Sequence, residues 1–309
     1  MLQLVLVLFL LAAFTSAQSR GAAPTRQHQR PNIVFWKISP NSVDLLLGHV
    51  PQTDAIRLAQ LKQTFKDLQC GGNRLREQTA PEGRNLLCTL PAAGPKTASG
   101  KEDPSIILVL AHYEHDGQGR GAVEDWSGAL MLPFLYHALS AAPRRHTFIF
   151  AEVDGEQGAA ALFNSFTAAE RREILGVVAL DALGLGPTRF YINPNDSSAN
   201  LAWMRLERPL LQAASDQRLP APCEILPGSW SKIDATRVFR HHDVPSILVH
   251  SVAWSAREIP GSARDTEASI NRDTYMQTIT LLADYAAELD SLRPSPQPQT
   301  SPGNPLVIQ

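Results

Sequence analysis

Residues 106–111 are an unbroken run of Ile, Leu, Val and Ala that ends at His112, Tyr113, Glu114 and His115. A strand that is apolar on both faces has to be covered on both faces, so this run predicts a central strand with helices above and below it. Residues 147–153 and 177–180 repeat the pattern and lead into Asp154 and Asp181, and residues 245–250 read as a further strand. Residues 127–140, 158–166, 168–174, 201–217 and 275–289 read as helices. Residues 55–68 show helical spacing, with Ile56, Leu58, Leu61, Phe65 and Leu68 on one side. Residues 73–78 and 85–90 flank a Pro-Glu-Gly turn and read as a hairpin. Strands alternating with helices define the expected fold class as α/β, a mostly parallel mixed β-sheet sandwiched between helices.

The chain has 309 residues, 44% of them hydrophobic, which is enough for one large domain, expected over residues 41–290. Residues 2–14 are almost wholly apolar and are followed by Thr15, Ser16 and Ala17, the pattern of a signal peptide over residues 1–17. That run is shorter than the roughly 20 residues needed to cross a bilayer, so no stable membrane span is expected. The implied location is exported, periplasmic or extracellular. Residues 18–40 read as a flexible leader, and the proline-rich residues 291–309 as a disordered tail. A net charge of −2 without a long basic run argues against nucleic acid as a partner. An exported chain permits a disulfide, and Cys70 with Cys88 is the economical pair. The other reading is that Cys70, Cys88 and Cys223 are buried free thiols.

In open α/β sheets, ligands bind beyond the carboxyl ends of the strands. Here those ends carry His112, Asp154 to Glu156, and Asp181, and the sequence Gly-Ala-Val-Glu124-Asp125-Trp-Ser-Gly opens a helix between the first two. Zinc takes imidazole nitrogen and carboxylate oxygen, and a catalytic site keeps a position for water. Taken singly, each feature also has a structural reading: a hydrogen-bonded strand-end histidine, an acidic pair at a helix start, or a turn cap. No Gly-x-Ser-x-Gly elbow occurs, which removes the sequence support for a serine hydrolase.

Six segments, in order, carry a specific resemblance: Ala-His112-Tyr-Glu114, Gly-Ala-Val-Glu124-Asp125-Trp-Ser-Gly, Asp154-Gly-Glu156-Gln-Gly158, Ala-Leu-Asp181-Ala-Leu-Gly, Val244-Pro-Ser-Ile and Ser262-Ala-Arg-Asp265-Thr266. Over roughly residues 50–290 the chain resembles the di-zinc aminopeptidases of metallopeptidase family 28, with the zinc-exopeptidase (phosphorylase/hydrolase-like) fold. The resemblance implies zinc, one or two ions, and a peptide or amino-terminal substrate. It implies that His112 and Asp181 ligate one zinc, that Glu114 orients His112, and that Glu124 or Asp125 bridges two ions. Glu156 corresponds either to a metal ligand, with Gly155 at the general base, or to the base itself, with Gln157 at the ligand. Gly261 stands where the family has its last histidine. The implied activity is that of an exopeptidase of the aminopeptidase class, in which metal-bound water attacks a peptide bond. Here that activity is expected to be impaired by a missing Glu and a missing His. The alternative is a non-catalytic pseudo-peptidase acting as a binding or structural protein.

Overall fold

The computed structural model describes residues 37–292, apart from 80, 82, 94–104, 116, 194, 196–197 and 225–234. The expected signal peptide, most of the leader and most of the tail lie outside the described residues. The strands are β1 (Leu75–Thr79), β2 (Arg84–Leu90), β3 (Ile106–His112), β4 (Thr147–Val153), β5 (Ile174–Leu180), β6 (Arg189–Tyr191), β7 (Cys223–Glu224) and β8 (Ser246–His250). They form one mixed sheet in the order β1-β2-β4-β3-β5-β8-β6-β7. The central pairs β4–β3, β3–β5 and β5–β8 are parallel, and β1–β2, β2–β4 and β6–β8 are antiparallel. The expected fold class is the observed one.

Among the helices are α1 (Pro40–Leu47), α2 (Asp54–Asp67), α3 (Ser127–Leu139), α4 (Gly155–Ser165) and α5 (Ala168–Glu173). The alternation of β3 explains its composition. Ile107, Val109 and Ala111 join a large apolar cluster with Phe148, Phe150, Leu130 and Leu282. Ile106, Leu108 and Leu110 join a second cluster with Leu162, Phe163 and Phe239. Both faces are therefore dry, and a polar residue at any of these positions would lack water.

Local chemistry sets the helix starts. The Thr53 hydroxyl accepts from the Ile56 N–H at the start of α2, and Asn271 accepts from the Thr274 N–H at the start of the final helix, Arg272–Asp290. Thr167 and Glu170 form a capping box at α5. Cys70, just beyond α2, is disulfide-bonded to Cys88 on β2, with the two Cα atoms 6.3 Å apart. Closing a loop of this size stabilises the fold by about 3 kcal/mol. Cys223 is a free, exposed cysteine.

The structure differs from the sequence reading in several places. Helix α2 buries Arg57, Leu61, Thr64 and Phe65, whereas Ile56 is 55% exposed. Leu58, Leu61, Phe65 and Leu68 face the core as expected, and Arg57, whose guanidinium has carbonyl partners inside, takes the inward place expected of Ile56. The expected helix over 201–217 consists of Ala199–Ala202, a π-turn at Trp203–Glu207, and Arg208–Asp216. The short strands β6 and β7 and the helix α1 carried no recognisable pattern.

Candidate metal centre

Strands β3 and β5 are parallel neighbours, so the end of one stands beside the end of the other. His112 is the last residue of β3, and Asp181 directly follows β5. Glu124 and Asp125 come from a π-turn, Ala122–Trp126, that leads into α3. Gly121 begins that turn in the left-handed region (φ 55°), where a side chain would strike Asp125 and His115. The buried Asp265 carboxylate holds the turn from outside. It accepts from the N–H groups of Val123 (2.6 Å), Glu124 (3.2 Å) and Gly261 (2.9 Å).

His112 is buried, and neither ring nitrogen has a hydrogen-bond partner among the described residues. Carboxylates nevertheless surround it. Asp125 Oδ1 lies 3.4 Å from Nδ1, Glu114 Oε1 lies 3.6 Å from Nδ1, and Asp181 Oδ1 lies 3.4 Å from Nε2. Burial opposes charge on the ring, but Glu114, Asp181 and Asp125 outweigh it and hold the His112 pKa well above the ordinary value. Burial also pushes the Glu114 carboxyl up to about 7. Burial, reinforced by Asp125 and Asp181, pushes Glu124 up to about 8.

The second oxygen of Asp125 is engaged differently. His115 Nδ1 lies 2.7 Å from Oδ2, and Arg57 Nη1 lies 3.5 Å from the same atom. This bond to Asp125 raises the His115 pKa. Arg57 is 1% exposed and also donates to the carbonyls of Pro51, Tyr113 and Arg120. The sequence reading gave neither Arg57 nor His115 a role. The available signal was the spacing of Arg57 with Leu61 and Phe65 on the inward face of α2.

The two glycines singled out in the sequence are filled positions. Gly155 has φ 62°, and a Cβ there would lie 2.9 Å from Glu114 Oε1. Gly261 has φ 66°, and a Cβ there would lie 2.5 Å from Glu124 Oε2. In each case a Glu side chain extends into the space a side chain on the glycine would use. Glu156 is not gathered into the His112 cluster. It pairs with Arg237 at 2.9 Å, and both side chains are partly exposed. His250 accepts from the Val252 N–H, and His242 stacks on Phe163.

The donors can be tested against a zinc ion. Two ligands at 2.0–2.1 Å in a tetrahedral shell lie about 3.3–3.4 Å apart. His112 Nε2 and Asp181 Oδ1 meet that spacing. The 2.7 Å contact between His115 and Asp125 is too short to admit an ion between them. Among the described residues, no group of three His, Cys, Asp or Glu side chains is placed to hold one ion. His112 Nδ1 and Asp125 Oδ1 meet the ligand spacing as well, but as arranged the described side chains form no complete donor set for a zinc ion.

Comparisons with known proteins place this geometry in context. The sequence matches peptidase family M28 over residues 95–286. No curated protein matches the sequence. Among solved structures, the chain is similar to a zinc aminopeptidase from Bacillus subtilis, with a TM-score of 0.56, 17% identity, and coverage of 67% of this chain and 50% of that one. It is similar to the LapA aminopeptidase of Legionella pneumophila, with a TM-score of 0.60, 12% identity, and coverage of 92% and 82%. It is also similar to a glutaminyl cyclase of Macrostomum lignano, with a TM-score of 0.63, 18% identity, and coverage of 83% and 90%. The chain thus spans half the length of the Bacillus aminopeptidase.

Proposed function

Because the chain belongs to peptidase family M28, we propose that it is an exported, exopeptidase-like protein of the aminopeptidase class whose hydrolytic activity is impaired. The family implies zinc and peptide substrates. The reading departs from an ordinary exopeptidase on one observation: the filling of Gly155 and Gly261 by Glu114 and Glu124. Both glycines have left-handed backbone, where a side chain is strained. The resemblance places a base or a ligand at these positions, and the surrounding structure has closed over them. The surviving carboxylate of that segment, Glu156, faces Arg237. Loss of a general base alone lowers a rate by roughly 10²–10⁴-fold.

What the chain's own residues can do is limited. His112, Glu114, Asp125 and Asp181 form a buried polar cluster that can orient a bound amino terminus or exchange a proton with it. The export reading rests on the apolar residues 2–14 and is supported by the Cys70–Cys88 disulfide, which is at home in an oxidising compartment. Among the described residues, no helix is long and apolar enough to cross a membrane.

The test is hydrolysis of a panel of aminoacyl-nitroanilides by the full chain in zinc-supplemented buffer, with His112→Ala as the control. The expected result is turnover no faster than the control. Turnover that His112→Ala abolishes, at rates typical of the class, would overturn the proposal.

A further inference from the structure

The contacts of Asp125 carry a conclusion that reaches beyond impaired hydrolysis. We infer that Asp125, rather than Glu124, stands at the bridging position, and that Arg57 and His115 occupy the carboxylate oxygen a second metal ion would need there, so that the centre is held together by an internal latch in place of that ion. Asp125 Oδ2 lies 2.7 Å from His115 Nδ1 and 3.5 Å from Arg57 Nη1. A zinc ion cannot enter a 2.7 Å contact, since two of its ligands stand about 3.3–3.4 Å apart. Asp125 keeps only Oδ1 toward His112.

The latch is built into the fold at three points. Gly121 lacks the side chain that would come within 2.1 Å of Asp125 Oδ2 and 2.4 Å of His115 Nδ1. Asp54 accepts from the His115 backbone N–H at 3.1 Å, which fixes that residue to the start of α2. Arg57 joins three separate stretches of chain through the carbonyls of Pro51, Tyr113 and Arg120. A buried carboxylate without a counter-charge is strongly destabilising, so a site that loses an ion must either neutralise the carboxylate or pair it. Here the pairing group is a guanidinium, which stays charged at any working pH. A cavity of about 270 Å³, lined by Pro51, Gln52, Arg57, His115, Gly119 and Arg120, opens on the latch. Solvent metal can therefore reach it, and exclusion is by occupancy.

The test uses the full chain after dialysis against a chelator, and reads melting temperature and bound zinc. Wild type is expected to retain at most one zinc ion per chain after desalting. His115→Ala is expected to lower the zinc-free melting temperature by at least about 3 °C. Zinc should raise its melting temperature more than that of wild type, because Oδ2 has been released. Arg57→Met removes a guanidinium with four partners and can fail to fold, so His115→Ala is the deciding variant. Two zinc ions per wild-type chain, or a zinc-free His115→Ala that melts like wild type, would overturn the inference. None of these readouts measures turnover, so this inference and the proposed function fail separately.

Discussion

Glu152 offers the sharpest energetic test of the structure. It lies on β4, is 0% exposed, and has no hydrogen-bond partner for either carboxylate oxygen among the described residues. Its register partners are Leu86 on β2 and Ala111 on β3, both part of the larger apolar cluster. Burial raises its pKa well above 4.5, against a smaller opposing pull from His112. The direction of the linkage follows. A carboxyl whose folded pKa is raised contributes its full stability below the unfolded pKa, and that contribution is lost as pH rises through the folded pKa. Over that window the folded chain binds one more proton than the unfolded chain, so stability falls by about 1.36 kcal/mol per pH unit.

Glu152→Met removes the carboxyl and keeps a similar volume. At low pH the variant should gain only what the unmade hydrogen bonds of the neutral acid cost, about 1–3 kcal/mol. Between pH 5.5 and 7.0 the gain should widen by up to about 2 kcal/mol, for as much of that window as folded Glu152 stays protonated. Urea unfolding of both proteins at a series of pH values, with the disulfide intact, reads this as a midpoint difference at constant slope. Parallel stability profiles across pH would refute the argument, as would a variant less stable at every pH.

Two further outcomes are expected. Reduction of Cys70–Cys88, or Cys70→Ser, should destabilise the fold by about 2–5 kcal/mol, read as a lower melting temperature in dithiothreitol than in its absence, with Cys70→Ser insensitive to the reductant. Gly261→Ala should cost about 1–3 kcal/mol by denaturant titration, since it combines φ 66° with a Cβ 2.5 Å from Glu124 Oε2; adding Glu124→Asp should recover the steric part and leave the backbone strain.

Much of the fold was legible because one physical constraint wrote it. Strands buried on both faces are nearly all apolar, so β3, β4 and β5 announce themselves by Ile, Leu, Val, Ala and Phe, with Glu152 on β4 the exception. The long closing helix was legible for a related reason, through its apolar spacing. Strands β6 and β7 have three and two residues and leave no period to detect. At the site, the strand-end positions of His112 and Asp181 were readable, and the structure brings them within 3.4 Å. The partners of Asp125 were not readable. A buried arginine looks like any surface arginine until its carbonyl acceptors are known, and those acceptors are 6, 56 and 63 residues away in the chain. The direction of Glu156 was equally hidden, because it depends on Arg237, which is brought close only by the fold.

The packing of Glu124 over Gly261 has an evolutionary consequence. Restoring a side chain at residue 261 first meets Glu124 and a left-handed backbone, while shortening Glu124 first leaves a void where its carboxylate lay. Each single change lowers stability, and the two together remove the clash but leave the left-handed backbone strain at residue 261. The same relation holds between Glu114 and Gly155. The two members of such a pair constrain each other, so a change accepted at one residue alone is opposed by its partner.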